Sequence, residues 1–146
     1  MSGVVAYADG ACRGNPGPAG AGALVLLPDG RQGEASLALG HATNNIGELS
    51  AIGLVLDLLT EPGVDTTTEW TLYTDSKYTM GVLTKNWKAK ANQELIAGLK
   101  GRLREWTGVT MEWVPGHAGV WGNERADALA RAGVEGETQT YWSGPA

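Results

Sequence analysis

Four carboxylates occupy positions from which their side chains could converge. Asp9 closes the short apolar run of residues 4–8, and Asp75 closes another at residues 70–74. A side chain at the end of such a strand leaves the sheet and faces the crevice where ligands of open α/β sheets bind. Glu48 stands one residue before an apolar stripe that begins at Leu49, and Asp127 holds a comparable early position in the last helical segment. Taken singly, each acid has an ordinary explanation, as a strand end or as a group favoured near a helix N-terminus. Taken together, they would repel one another and raise one another's proton affinity unless divalent cations neutralised them. Oxygen donors without His or Cys suit Mg2+, with Mn2+ able to substitute. Two such ions roughly 3.5 to 4 Å apart can activate a water, hold a phosphate and stabilise the leaving oxygen, so phosphodiester hydrolysis is the natural reaction class.

Little else in the chain is chemically reactive. Cys12 is the only cysteine, which excludes an intramolecular disulfide and leaves a cysteine-based zinc site without companions; by itself it reads as a small hydrophobe. Of the two histidines, His41 falls in no motif and reads as surface. His117 lies in the glycine-flanked segment Gly116-His117-Ala118-Gly119, where an imidazole titrating near neutrality could move a proton.

The elements that must position these groups follow from periodicity. After the first strand, residues 10–22 hold five glycines and two prolines, a turn composition. Residues 21–27 and 32–39 flank Pro28-Asp29-Gly30 and predict an antiparallel hairpin. From Asn44 the period changes: Leu49, Ile52, Leu56 and Leu59 form the stripe of an amphipathic helix that Glu61-Pro62-Gly63 ends. Residues 70–74 predict a strand, residues 77–83 and 93–106 helices, and residues 109–114 a fifth strand. Asn123 is a plausible N-cap for a final helix stopped by Gly133, and residues 135–146 show no period and are expected to form a loose tail. The expected fold is α/β: a five-stranded mixed sheet, three antiparallel strands followed by two parallel ones, with helices on both faces.

A length of 146 residues, 42% of them hydrophobic, fits one domain spanning residues 1–146. No apolar run approaches a membrane span, and the first ten residues lack the character of a signal peptide, so a cytoplasmic location without membrane association is expected. The net charge of −5 is unfavourable for a protein that must approach phosphates. Its distribution is less so, since residues 77–104 carry +6 and the remainder −11. A solvated helix face could produce such a segment, and its meaning depends on what lies beside it.

The residues resemble a known family. Tyr7-Ala8-Asp9-Gly10-Ala11-Cys12-Arg13-Gly14-Asn15-Pro16-Gly17-Pro18 resembles the first-strand signature of type 1 ribonuclease H, and Thr43-Asn44-Asn45-Ile46-Gly47-Glu48-Leu49 its first helix start. Tyr73-Thr74-Asp75-Ser76-Lys77-Tyr78 resembles its central strand end. Trp113-Val114-Pro115-Gly116-His117-Ala118-Gly119 and Asn123-Glu124-Arg125-Ala126-Asp127 resemble its closing motifs. Four ordered motifs spanning nearly the whole chain agree far less readily by chance than any one of them.

The resemblance implies a ribonuclease H-like fold and an endonuclease that cuts the RNA strand of RNA/DNA hybrids, leaving 5′-phosphate and 3′-hydroxyl ends. It implies two Mg2+ ions held by Asp9, Glu48, Asp75 and Asp127, with His117 assisting proton transfer or product departure. It also implies that Cys12, Asn15, Asn44 and Lys77 line the substrate groove, with Thr43 near a DNA phosphate. Lys77 departs from the uncharged residue common at its position, which suggests a phosphate contact instead. Asn44 and Asn45 could equally be simple helix caps. The segment 85–92, with Lys85, Trp87 and Lys88, resembles the start of the family's basic protrusion but is short, so weaker and more salt-sensitive hybrid binding is expected, with Trp87 packed under the loop. No obligate protein partner is expected, and the chain reads as a monomer. Three other functions compete: a non-catalytic nucleic-acid-binding module, which the four acids argue against; a broader nuclease that also cuts double-stranded RNA; and an ATPase, for which no phosphate-cradling glycine loop is present.

Overall fold

The computed structural model describes residues 3–116 and 118–145; His117 lies outside the described residues. Along the chain come β1 (Val4–Cys12), β2 (Gly17–Leu26), β3 (Gln32–Ala42), α1 (Asn44–Thr60), β4 (Trp70–Thr74), α2 (Lys77–Thr84), α3 (Gln93–Glu105), β5 (Val109–Trp113), α4 (Trp121–Val134) and β6 (Gln139–Ser143). Among the described residues they build one six-stranded sheet in the order β5-β4-β1-β2-β3-β6. The three antiparallel and two parallel strands expected from the sequence are present.

The sixth strand corrects the expectation of five and of a loose tail. Residues Gln139–Ser143 pair antiparallel with β3, and the indole of Trp142 lies flat against Gly33, where a Cβ would come within 2.7 Å of the ring. That indole also donates to Glu61 at 2.5 Å. Five residues are too few to display a period, so pairing with an open sheet edge decides their conformation.

Helices cover opposite faces of the sheet. On one face α1 contributes Leu49, Ile52, Val55, Leu56 and Leu59, all without solvent exposure, against Ala6, Ala8, Ala21, Ala23 and Val25 of the strands. The stripe predicted for α1 is buried as expected, and α3 covers much of its outer side: Leu99 and Arg102 lie over Gly53. On the other face α4 rests directly on β2. A Cβ on Gly20 would fall 2.3 Å from the carbonyl oxygen of Ala130, and one on Gly22 would fall 2.3 Å from that of Ala126. Here glycine is required for close approach of helix backbone to sheet, not for a turn. This corrects the reading of residues 10–22, most of which belong to β1 and β2.

Two helix boundaries also differ. The N-cap of α4 is Val120, and Asn123 lies inside the first turn, buried, with its Oδ1 unpaired among the described protein atoms. Gly122 must sit there because the Tyr7 ring packs where its Cβ would be. Gly133 does not stop the helix, which runs to Val134; its small size lets α4 lie against the carbonyl of Leu37.

Candidate active site

Parallel pairing of β1 with β4 ends at Ala8 and Thr74, so the next residues, Asp9 and Asp75, emerge side by side. Asp9 lies within β1 rather than at its end, since the strand continues to Cys12 beside β2. Glu48 arrives from α1. Thr43 caps that helix by accepting from the Ile46 amide at 3.2 Å, and Gly10 has no Cβ to obstruct the helix backbone at Gly47 and Glu48. The first turn of α1 therefore lies directly on β1, and the Gly10 amide donates to both Asp9 and Glu48.

The result is a tight acidic cluster. Carboxylate oxygens of Asp9, Glu48 and Asp75 lie within 4.8 Å of one another. Asp9 and Glu48 are each only 5% exposed. Burial first, then the hydrogen bond to Glu48 and repulsion from Glu48, Asp75 and Asp127, pushes the Asp9 carboxyl up to about 11. Burial also pushes Glu48 up to about 7, reinforced by Asp75 and opposed by hydrogen bonds from Asp9 and the Gly10 amide. Both shifts favour holding a proton on the Asp9–Glu48 pair when no cation neutralises it. A site that binds a proton this avidly with hard oxygen donors is well suited to a divalent cation.

Asp127 stands apart from this trio. It is near enough to raise the Asp9 proton affinity, but it is not among the three grouped carboxylates, and its Oδ2 accepts from Nε of Arg131 at 3.0 Å. Spacing of four residues on one helix made that pair readable in the sequence. Two further neighbours of Asp75 carried no such signal. The indole of Trp113 donates to the Asp75 backbone carbonyl at 3.0 Å, and Gly116, the residue before His117, lies against the Asp75 carboxylate, where a Cβ would come within 2.9 Å of Oδ2.

The expected groove residues fall into two groups. Asn15, Asn44, Thr43 and Cys12 come together: the Asn15 side chain accepts from the Asn44 amide at 2.9 Å, and Cys12 Sγ lies 3.4 Å from the Ala42 carbonyl oxygen. Thr43, rather than Asn44 or Asn45, is the helix cap. Lys77 is exposed, with its ammonium 4.9 Å from the centroid of the Trp113 ring, a cation–π contact. Lys85, Trp87 and Lys88 lie in the short connection between α2 and α3 and are exposed. Trp87 both packs and presents itself: its ring covers Gly81, yet the residue remains 51% exposed. His41 is exposed on β3.

Fold and site together define an α/β protein with a largely buried, cation-suited carboxylate cluster where the pairing of β1 with β4 ends and α1 begins. Comparison with known proteins agrees. The RNase H family profile matches residues 1–135. A ribonuclease H of Alcanivorax borkumensis is 38% identical, with 92% of this chain and 93% of the relative aligned. A ribonuclease HI of Brucella melitensis is 43% identical over 92% of each chain. Among solved structures, the N-terminal RNase H domain of a Mycobacterium tuberculosis protein has a TM-score of 0.78 at 34% identity, covering 92% of this chain and 95% of that one. LC11-RNase H1 in complex with an RNA/DNA hybrid has a TM-score of 0.78 at 28% identity, covering 90% and 96%. The chain belongs to the ribonuclease H family.

Proposed function

We propose that this protein hydrolyses the RNA strand of RNA/DNA hybrids internally, leaving 5′-phosphate and 3′-hydroxyl ends, and acts as a cytoplasmic monomer. The observation that carries the proposal is the cluster of Asp9, Glu48 and Asp75 oxygens within 4.8 Å, in a chain of this family. Asp9, Glu48, Asp75 and Asp127 would hold two Mg2+ ions, for which Mn2+ could substitute; when bound, such ions activate water and stabilise charge on the phosphate and leaving oxygen.

The chain's own residues orient and move protons. The Gly10 amide fixes Asp9 and Glu48 relative to each other, so the ligands are set before substrate arrives. Trp113 holds the backbone at Asp75. His117, which follows the glycine lying against Asp75, would shuttle a proton or ease product departure. Asn15 and Asn44, linked by their hydrogen bond, and Cys12 would line the minor groove, where the 2′-hydroxyl distinguishes RNA from DNA. Thr43 would take a DNA phosphate, while Lys77, Lys85 and Lys88 would meet the backbone further along, with Trp87 offering a flat surface.

The test is incubation with a strand-labelled RNA/DNA hybrid, the matching RNA duplex and the DNA duplex, with Mg2+, with Mn2+ and with chelator, beside Asp75→Asn. Cleavage of RNA in the hybrid alone, lost with chelator and in Asp75→Asn, is the expected result. Equal cutting of the RNA duplex would move the function to a broader nuclease. A folded protein that cuts nothing would be a binding module.

A further inference from the structure

Asp127 is the one member of the proposed ligand set that already has a cationic partner among the described residues. Arg131, one helical turn on, donates from Nε to its Oδ2 at 3.0 Å. The same line of α4 continues to Glu135, and Arg13, from the loop after β1, pairs with that acid. Glu135 is the other acid one turn from Arg131, and it is engaged by Arg13 while Arg131 bonds Asp127. Arg131, Arg13 and Glu135 border a cavity of about 520 Å³ that Ala11 and Cys12 of β1 also line.

The guanidinium stays charged at any working pH, and Nε engages only one carboxylate oxygen, leaving Oδ1 available. Arg131 therefore holds the Asp127 carboxylate in place while putting a positive charge beside it. We infer that Arg131 is a positioning residue that weakens, through its charge, the binding of the divalent ion that Asp127 helps to hold. The inference rests on the reading of Asp127 as a metal ligand. Because the arginine side chain is 66% exposed and that of Asp127 24%, solvent screens the repulsion, so the effect is moderate. Replacing Arg131 by glutamine should tighten the Asp127-dependent ion about three- to tenfold.

The test is Mn2+ titration of the full chain, read as free Mn2+ by electron paramagnetic resonance and as heat by calorimetry. The proteins are the parent, Arg131→Gln, Arg131→Lys, Asp127→Asn and the double variant Asp127→Asn with Arg131→Gln, each checked for native circular dichroism. The inference expects Asp127→Asn to weaken an ion-binding event that Arg131→Gln tightens, Arg131→Lys to restore the parent affinity, and Arg131→Gln to have a smaller effect once Asp127 is neutral and no longer holds the guanidinium beside the site. If Arg131→Gln leaves the Asp127-dependent event unchanged or weakens it, the inference is overturned while the ligand reading stands. If Asp127→Asn changes no ion binding, the ligand reading fails and the inference with it.

Discussion

Neutralising Glu48 should stabilise the metal-free protein. Its carboxyl titrates near 4.5 in an unfolded chain and at about 7 when folded, chiefly through burial and secondarily through repulsion by Asp75. A raised folded value means that the folded state binds the proton more tightly. The stability that comes with protonation is therefore complete below 4.5 and is lost as pH rises through the folded value. At ~1.4 kcal/mol per decade of proton affinity, the two values differ by about 3 kcal/mol. Coulomb's law gives a similar size: two unit charges at the 4.8 Å outer limit of the cluster repel by about 3 kcal/mol at an effective dielectric of about 20.

Glu48→Gln removes the charge and keeps an oxygen that can accept from the Gly10 amide. In a chain of 146 residues a gain of about 3 kcal/mol corresponds to a Tm rise of roughly 6–12 °C. The assay is thermal unfolding by circular dichroism at about pH 8 and about pH 4, with chelator and with saturating Mg2+. With chelator at the higher pH the variant should melt above the parent; at the lower pH the two should converge. With Mg2+ the parent should gain more than the variant, which has lost a ligand. A natively folded variant that melts at or below the parent in chelator at the higher pH would refute the claim that repulsion and burial of charge strain this cluster.

Two further outcomes follow from contacts away from the trio. Arg125 donates to both oxygens of Glu34, at 2.5 and 2.8 Å, and thereby holds that carboxyl below its ordinary value. The pair's contribution is present above 4.5 and is lost as pH falls through the depressed folded value. Arg125→Ala should therefore cost about 1 kcal/mol in urea unfolding near neutral pH and almost nothing near about pH 3; an equal cost at both would contradict the assignment. Gly22→Ala would drive a Cβ to 2.3 Å from the Ala126 oxygen and 2.4 Å from the Ala130 nitrogen. It should destabilise by about 1–3 kcal/mol and lower hybrid cleavage at temperatures where the variant remains folded, because α4 carries Asp127. Unchanged unfolding and cleavage would show that α4 does not need this close contact.

Long periodic or strongly punctuated elements were legible in the sequence. The stripe from Leu49 to Leu59 is the buried side of α1, α2 and α3 lie where the period placed them, and the hairpin turns at Pro28-Asp29-Gly30. Glycine was misread. Gly10, Gly20 and Gly22 resemble turn residues by composition, but they are strand positions on which helix backbone rests, a distinction visible only when both partners are in place. Asn123 has the side chain of a cap and instead enters α4 buried, because Gly122 brings the first turn onto Tyr7.

The sequence by itself determined which acids are present, their order, and the elements that carry each of them, because side-chain type and hydrophobic period are local properties of the chain. The tertiary structure decided how those acids meet. It brings Glu48 onto Gly10, thirty-eight residues away in the chain, and so to the neighbouring Asp9, raises the proton affinity of both carboxyls, and leaves Asp127 beside Arg131 rather than within the trio. Carboxylate repulsion and desolvation change steeply over a few ångströms, and those distances are set by packing between segments that are remote in the chain.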